Sequence, residues 1–323
     1  MRGRPAGLPG EGDRREILLS PVPPFDFALS AFIFSGGDPQ IRSFSGGMFR
    51  QVLRVGEGLI LATVTGTGSV GRPAVRVRLE PRPAREEGTA EAGEVVRRIF
   101  NLDLDISPFA AAVRKDPVMS ALARRFRGLK PPRTASVFEA IVDSITEQQI
   151  SLTAAHSMER KIIRTFGDTL SRDGTEYYAY PTPERLTQAS VGDLRACGLS
   201  GKKAEYILGI AEMIRGGSLD LENHPLSEKT GAIIDQLTDI RGVGTWTAEL
   251  TALRGLSRLD AIPADDLGIR RSISAFYSGG SRIDAAEARR IAGGWGAWKG
   301  LAAYYLVVAE MQGIGAGDLQ KGE

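Results

Sequence analysis

The stretch Leu237–Leu250, LTDIRGVGTWTAEL, decides the reading of this 323-residue chain. It joins two helical patterns, GAIIDQL before it and Thr245 to Leu253 after it, through the tripeptide Gly242-Val243-Gly244. Glycine adopts positive φ without steric cost and so permits a tight reversal. The reversal leaves the backbone N–H groups of Gly242 to Thr245 at the start of a helix, where the first amides have no intrahelical acceptor. Backed by the helix dipole, such amides suit a phosphate oxygen, and a turn without side chains lets a nucleic-acid backbone come close. Two readings are open for the tripeptide alone: a plain inter-helical turn, or a phosphate anchor. Gly-Val-Gly is too short to be a dinucleotide or Walker fingerprint.

Past Trp246 and LRGLSRLDA comes IPADDLGIRRSI. Pro263 ends the preceding segment, and Asp265-Asp266 stand before the helical run LGIRRSISAFY. Carboxylates at a helix N-terminus ordinarily cap it. One is enough for that task, so the pair leaves a second carboxylate open for chemistry.

Upstream, from Glu16 to about Pro81, the periodicity is near two. EILLSPV, FDFALSAFIF, SFSGGMFRQVLRV, GLILATVTG and AVRVRLEP are short β-branched or aromatic runs punctuated by Gly and Pro, which predicts an antiparallel sheet of about five strands. From Glu91 onward nearly everything has helical spacing, about ten helices. Their starts are marked by Ser136-x-x-Glu139, Ser151, Ser190-x-x-Asp193 and Asp284-x-x-Glu287. The fold class is therefore α+β: a basic, disordered arm at 1–15, an N-terminal antiparallel sheet domain with a helix at 16–105, and an all-helical body at 106–323.

Hydrophobic residues at 42% and charged residues at 25% describe a soluble globular protein. No run approaches the eighteen or so apolar residues a membrane helix needs, and the basic N-terminus lacks a signal's apolar stretch, so a cytoplasmic location is expected. A single cysteine, Cys197, excludes a disulfide framework and four-cysteine metal sites. Only His156 and His224 are available for zinc or a Ser-His-Asp triad, and both read as surface or packing residues. The chemistry must then rest on carboxylates, hydroxyls, amides or lysines. Net charge is +2, with basic clusters at RRFRGLKPPR (Arg124 to Arg133), Lys202-Lys203, Arg270-Arg271 and Arg289-Arg290. These fit either a nucleic-acid footprint or solvated helix faces.

Taken together, IRGVGTWTAELTALRG followed by IPADDLGIR resembles the helix-hairpin-helix DNA glycosylases, in particular the bacterial DNA-3-methyladenine glycosylase II type. PPFDFALSAF, SVFEAIVDSITEQQIS, GLSGKKAEYI and WGAWKGLAAYYL extend the likeness from about Pro21 to Ile314. The resemblance implies two helical subdomains, 136–255 with the hairpin and 106–135 plus 256–323, with an active-site cleft between them. It implies a monofunctional base-excision-repair enzyme that flips an alkylated purine out of double-stranded DNA and hydrolyses its N-glycosidic bond, leaving an abasic site. Oxidised or deaminated bases, or non-catalytic DNA binding, are the alternatives.

By the same resemblance Asp266 is the catalytic carboxylate, with Asp265 its neighbour or the helix cap. Bifunctional relatives carry a lysine nucleophile where this chain has Trp246, so no lyase activity is expected. The base pocket would comprise Trp246, Leu250, Tyr304, Tyr305 and Val307, with Phe32 or Phe34 reaching in from the sheet domain. Relatives carry aromatics where this chain has Leu250 and Val307, which bears on substrate range. DNA contacts would come from Gly242, Val243, Gly244 and Thr245, from Lys202 and Lys203, and from a wedge at Gln149-Ile150. No cofactor is required, although backbone carbonyls of Thr238, Ile240 and Val243 would hold a Na⁺ or K⁺ ion. The expected partner is damaged duplex DNA, met as a monomer associated with the nucleoid.

Overall fold

A computed structural model describes residues 13–223 and 228–319; positions 1–12 of the expected arm and His224 lie outside the described residues. Asp26 decides the fate of the first aromatic run. Its side chain accepts from Leu29 N at 2.9 Å and so starts a helix, α1 (Phe27–Ala31), followed by a 3-10 turn over Phe32–Phe34. The expectation of a strand at FDFALSAFIF is thus corrected. Its alternating phenylalanines imitate a strand, but the buried set Phe27, Ser30 and Ala31 has helical spacing.

Five strands form nevertheless: β1 (Arg15–Leu19), β2 (Arg42–Ser45), β3 (Met48–Val55), β4 (Gly58–Ser69) and β5 (Arg72–Glu80), antiparallel in the order β1-β5-β4-β3-β2. The fifth arises because Gly46 and Gly47, at φ 56° and 73°, fold SFSGGMFRQVLRV back on itself as a β2–β3 hairpin. Side chains alternate between faces. Phe49, Val64 and Val77 lie in register across three strands, and with Leu53, Ala62 and Leu79 they form one apolar face. Helix α2 (Glu86–Ile99) packs on it through Ala92, Val96 and Ile99. On the opposite face Val52 and Leu61 meet a second hairpin, β6 (Thr169–Arg172) and β7 (Thr175–Tyr178). This hairpin lies inside the region expected to be helical.

The remaining helices are α3 (Ser107–Ala112), α4 (Pro117–Arg125), α5 (Val137–Glu147), α6 (Leu152–Phe166), α7 (Pro183–Leu186), α8 (Val191–Ala196), α9 (Gly201–Arg215), α10 (Thr230–Thr238), α11 (Thr245–Leu256), α12 (Leu267–Tyr277), α13 (Ala285–Gly293), α14 (Lys299–Met311) and α15 (Ala316–Leu319). Helices α7 and α15, at four residues each, are too short to show a period in sequence. Two apolar cores organise them. One joins Met119, Leu122 and Phe126 to Ile273, Trp295, Leu301 and Leu306; the other joins Ile141 and Ile145 to Leu194, Ile207, Leu237 and Ile240. Gly255 lets α11 lie directly against α5, since a Cβ there would meet Ala140 and Val137 at 3.0–3.3 Å. Among the described residues no helix is long and apolar enough to cross a membrane.

Candidate active site and nucleic-acid interface

The two glycines of the hairpin have different causes. Gly242 sits at φ +92°, and a Cβ there would land on the Tyr206 ring of α9, so the fold itself requires glycine. Gly244, the N-cap of α11, has φ −89° and ψ 174°, which any residue adopts, and a Cβ would meet nothing within 4 Å. The fold does not need glycine there; close approach of something outside the chain would. Val243 is a correction: its side chain is buried in the core and its N–H donates to Ile240 O at 3.0 Å, so it presents neither to solvent. The N–H groups of Gly244, Thr245 and Trp246 have no acceptor among the described residues. Gly244 and Thr245 are exposed.

The turn between α5 and α6 stands beside this hairpin. Gln149 is exposed in the left-handed region at φ 58°, and Ile150 and Leu152 are 36% and 59% exposed, so Ile150 is no core residue. Gln148 ties the turn to the hairpin, its Nε2 donating to Gly242 O and to Thr247 Oγ1, both at 3.0 Å. Lys203 secures it from α9: its Nζ donates to Thr146 O at 2.9 Å and Gln148 O at 2.6 Å, and burial lowers its pKa. The expectation that Lys203 meets phosphate is therefore corrected, because its ammonium caps the C-terminus of α5. Lys202 is exposed, with no partner among the described residues.

Asp266 is held by two donors. Its Oδ1 accepts from Ile269 N at 2.9 Å as the N-cap of α12, and its Oδ2 accepts from Trp246 Nε1 at 3.2 Å. Capping and the candidate chemistry thus fall on one residue, and Asp265 is not the cap. Asp265 is exposed and pairs with Arg289 at 3.4 Å. One turn beyond the half-buried Trp246, Leu250 is buried. A further turn on, Arg254 pairs with Glu147 at 2.6 Å. Burial opposes the Arg254 charge, but the carboxylates of Glu147, Asp143 and Asp266 outweigh it and raise its pKa. Tyr304 on α14 is half-buried, its hydroxyl without a partner among the described residues, and burial raises its pKa against the opposing field of Arg254.

Other expected residues are placed elsewhere. Tyr305 belongs to the core, donating to Leu129 O at 2.9 Å and packing edge-on against Phe109 and Phe126, so it lines no pocket. Phe34 is likewise engaged by Phe49, Phe100 and the Arg42 guanidinium within the sheet domain. Phe32 and Val307 are half-buried. The basic run Arg124 to Arg133 is only partly a surface patch: Lys130 is fully buried, donating to Val22 O and Leu102 O, and Arg133 donates to Gly255 O. The carbonyls of Thr238 and Val243 have no donor among the described residues, and that of Ile240 accepts from Val243 N. A groove of about 610 Å³, between β3, α2 and residues 179–183 and 214–222, contains none of the expected site residues. Sequence reasoning gave no role to Gln148, beside the α5–α6 turn, or to Arg254, within α11, and read Arg289 only as half of a basic pair.

Comparison with known proteins identifies the family. The family model described as HhH-GPD superfamily base excision DNA repair protein matches residues 142–297, a range that contains the α5–α6 turn, the hairpin and Asp266. The DNA-3-methyladenine glycosylase of Bacillus subtilis is 32% identical over 232 residues, 70% of this chain and 75% of its own. DNA-3-methyladenine glycosylase 2 of Escherichia coli is 25% identical over 289 residues, 89% of this chain and 95% of its own. Among solved structures, the 3-methyladenine DNA-glycosylase from Archaeoglobus fulgidus superposes with a TM-score of 0.76 at 26% identity, covering 92% of this chain and 98% of that one.

Proposed function

The chain belongs to the HhH-GPD superfamily of base excision DNA repair proteins and is a DNA glycosylase, and from that premise we propose that it hydrolyses the N-glycosidic bond of alkylated purines flipped out of duplex DNA. One observation carries the reading: a carboxylate, Asp266, fixed by two N–H donors against the indole that opens the hairpin helix. The damaged nucleotide leaves the stack, and Ile150, at the tip of the braced turn, fills the space it vacates. Phosphate oxygens meet the amides of Gly244 and Thr245, and the exposed Lys202 on α9 supplies a further phosphate contact. As the bond to the base lengthens, positive charge develops at the sugar, and the Asp266 carboxylate stabilises it and orients the attacking water.

An alkylated purine carries its own positive charge and departs without a dedicated general acid. The Trp246 face suits such an electron-poor ring, and Tyr304 and Leu250 are offered as its neighbours. An indole cannot form a Schiff base, so the product is a simple abasic site. A Na⁺ or K⁺ ion on the Thr238, Ile240 and Val243 carbonyls would supply a further positive charge toward the phosphate. The same reading has the enzyme act as a monomer.

The test is release of free 3-methyladenine and 7-methylguanine from methylated duplex DNA. Wild type is expected to release them, and Asp266→Asn to lose roughly 100-fold or more in rate. No release by wild type, or full activity in Asp266→Asn, overturns the reading. A covalent DNA adduct trapped by borohydride would overturn the assignment of simple hydrolysis.

A further inference from the structure

Trp246 and Glu249 lie one turn apart on α11, so the two side chains project from the same side of the helix. Trp246 holds Asp266. Glu249 is 5% exposed, and a carboxylate so deeply placed must be paired. Its partner is Arg289, on α13: Nη1 meets Glu249 Oε1 at 2.7 Å and Nη2 meets Oε2 at 3.0 Å, a bidentate fork. The same guanidinium reaches the segment that delivers Asp266. Nη1 also donates to Ile262 O at 3.1 Å, and Nη2 to Asp265 Oδ2 at 3.4 Å.

We propose that Arg289 is a positioning residue for the glycosylase reaction, clamping the 262–266 segment to the hairpin helix so that Asp266 is presented at a fixed place beside Trp246. This rests on the reading that Asp266 is the catalytic carboxylate. Adjacent aspartates divide the work: Asp265 is drawn to Arg289 and Asp266 to Trp246, so the peptide between them is held from both sides. The clamp also leaves Asp266 as the carboxylate of the pair that no arginine neutralises by contact among the described residues. Burial pushes the Glu249 carboxyl up, and Arg289 opposes that push. A lysine at 289 would keep the charge but not the planar fork that serves four acceptors at once.

The experiment measures single-turnover release of 7-methylguanine from methylated duplex, alongside affinity for an abasic-site duplex, in Arg289→Gln, Arg289→Lys and Asp265→Asn. Arg289→Gln is expected to slow release by about tenfold to 100-fold with affinity changed less than about twofold, since misplacing a reacting group costs rate more than binding. Arg289→Lys should recover part of the rate. Asp265→Asn leaves buried Glu249 paired, so it keeps the fold intact and should still slow release several-fold. Wild-type rates in both Arg289→Gln and Asp265→Asn, or a loss confined to DNA affinity, overturn the clamp while an inactive Asp266→Asn leaves the catalytic reading standing. Full activity in Asp266→Asn removes that reading and the clamp with it.

Discussion

A single hydrogen bond distinguishes Trp246 from any other aromatic at its position. Trp246→Phe keeps a stacking face but removes the donor to Asp266 Oδ2, and a hydrogen bond to a charged group is worth about 1.5–3 kcal/mol. Base release is expected to fall roughly tenfold or more, with DNA affinity retained; an unchanged rate would show that the indole acts only as a face. The two hairpin glycines should separate as sharply. Gly242→Ala drives a methyl into Tyr206 at positive φ and should lower thermal stability by several degrees, whereas Gly244→Ala should leave the melting temperature unchanged and weaken DNA binding. Sequence made both glycines visible but alike, because φ and the neighbouring ring are properties of the folded turn. It likewise showed Asp265 and Asp266 as a pair, yet which one caps α12 depends on where α11 and α13 place Trp246 and Arg289. Lys203 looked like Lys202 for the same reason: only the fold brings the α5 carbonyls to it.

Between elements, the turn after α5, the hairpin and α9 form one braced unit through Gln148 and Lys203. The two lysines should therefore respond differently to salt. Lys202→Gln is expected to weaken DNA binding and reduce the slope of log K against log salt by about one, the signature of a lost phosphate contact. Lys203→Met should weaken lesion binding with the slope unchanged, because its loss frees two carbonyls and loosens the turn. Equal slope changes in a titration series would return Lys203 to the phosphate contacts. Helices α5, α6, α8 and α13 were legible from their caps, and α11 from its period. The α1 segment was not, since aromatic alternation outweighed the Asp26 cap, and the β6–β7 hairpin is too short and polar to stand out until Leu170 and Tyr177 meet Val52 and Leu61.

Across the whole molecule, the sheet domain is fastened to the helical body by a buried charge cluster that no sequence pattern announced. Arg42 of β2 pairs with Glu139 of α5 at 2.7 Å and Glu159 of α6 at 3.3 Å, while Asp143 accepts from the Tyr180 hydroxyl at 2.8 Å. Three carboxylates face one arginine; burial, then the mutual repulsion of the carboxylates, raises the pKa of Asp143 well above 3.8. Glu159 is raised from 4.5 by burial first and by Glu139, with Arg42 and His156 opposing. The folded state thus retains protons the unfolded chain releases above about pH 4. Stability from this cluster is complete below that range and declines as pH rises through the folded values. Asp143→Asn keeps an acceptor for Tyr180 and should raise the melting temperature by about 2–4 °C at pH 8 and much less at pH 5. Equal shifts at both pH values would exclude the mechanism. The braced turn carries a consequence for how damage is found. In the proposed complex, Gln148 and Lys203 tie the inserting turn to the phosphate-binding hairpin, so the distortion of binding falls on the DNA. On the proposed reading, selection then begins with duplex mechanics, and a lesion that has already loosened its stack gives way first, before any atom of the base is inspected.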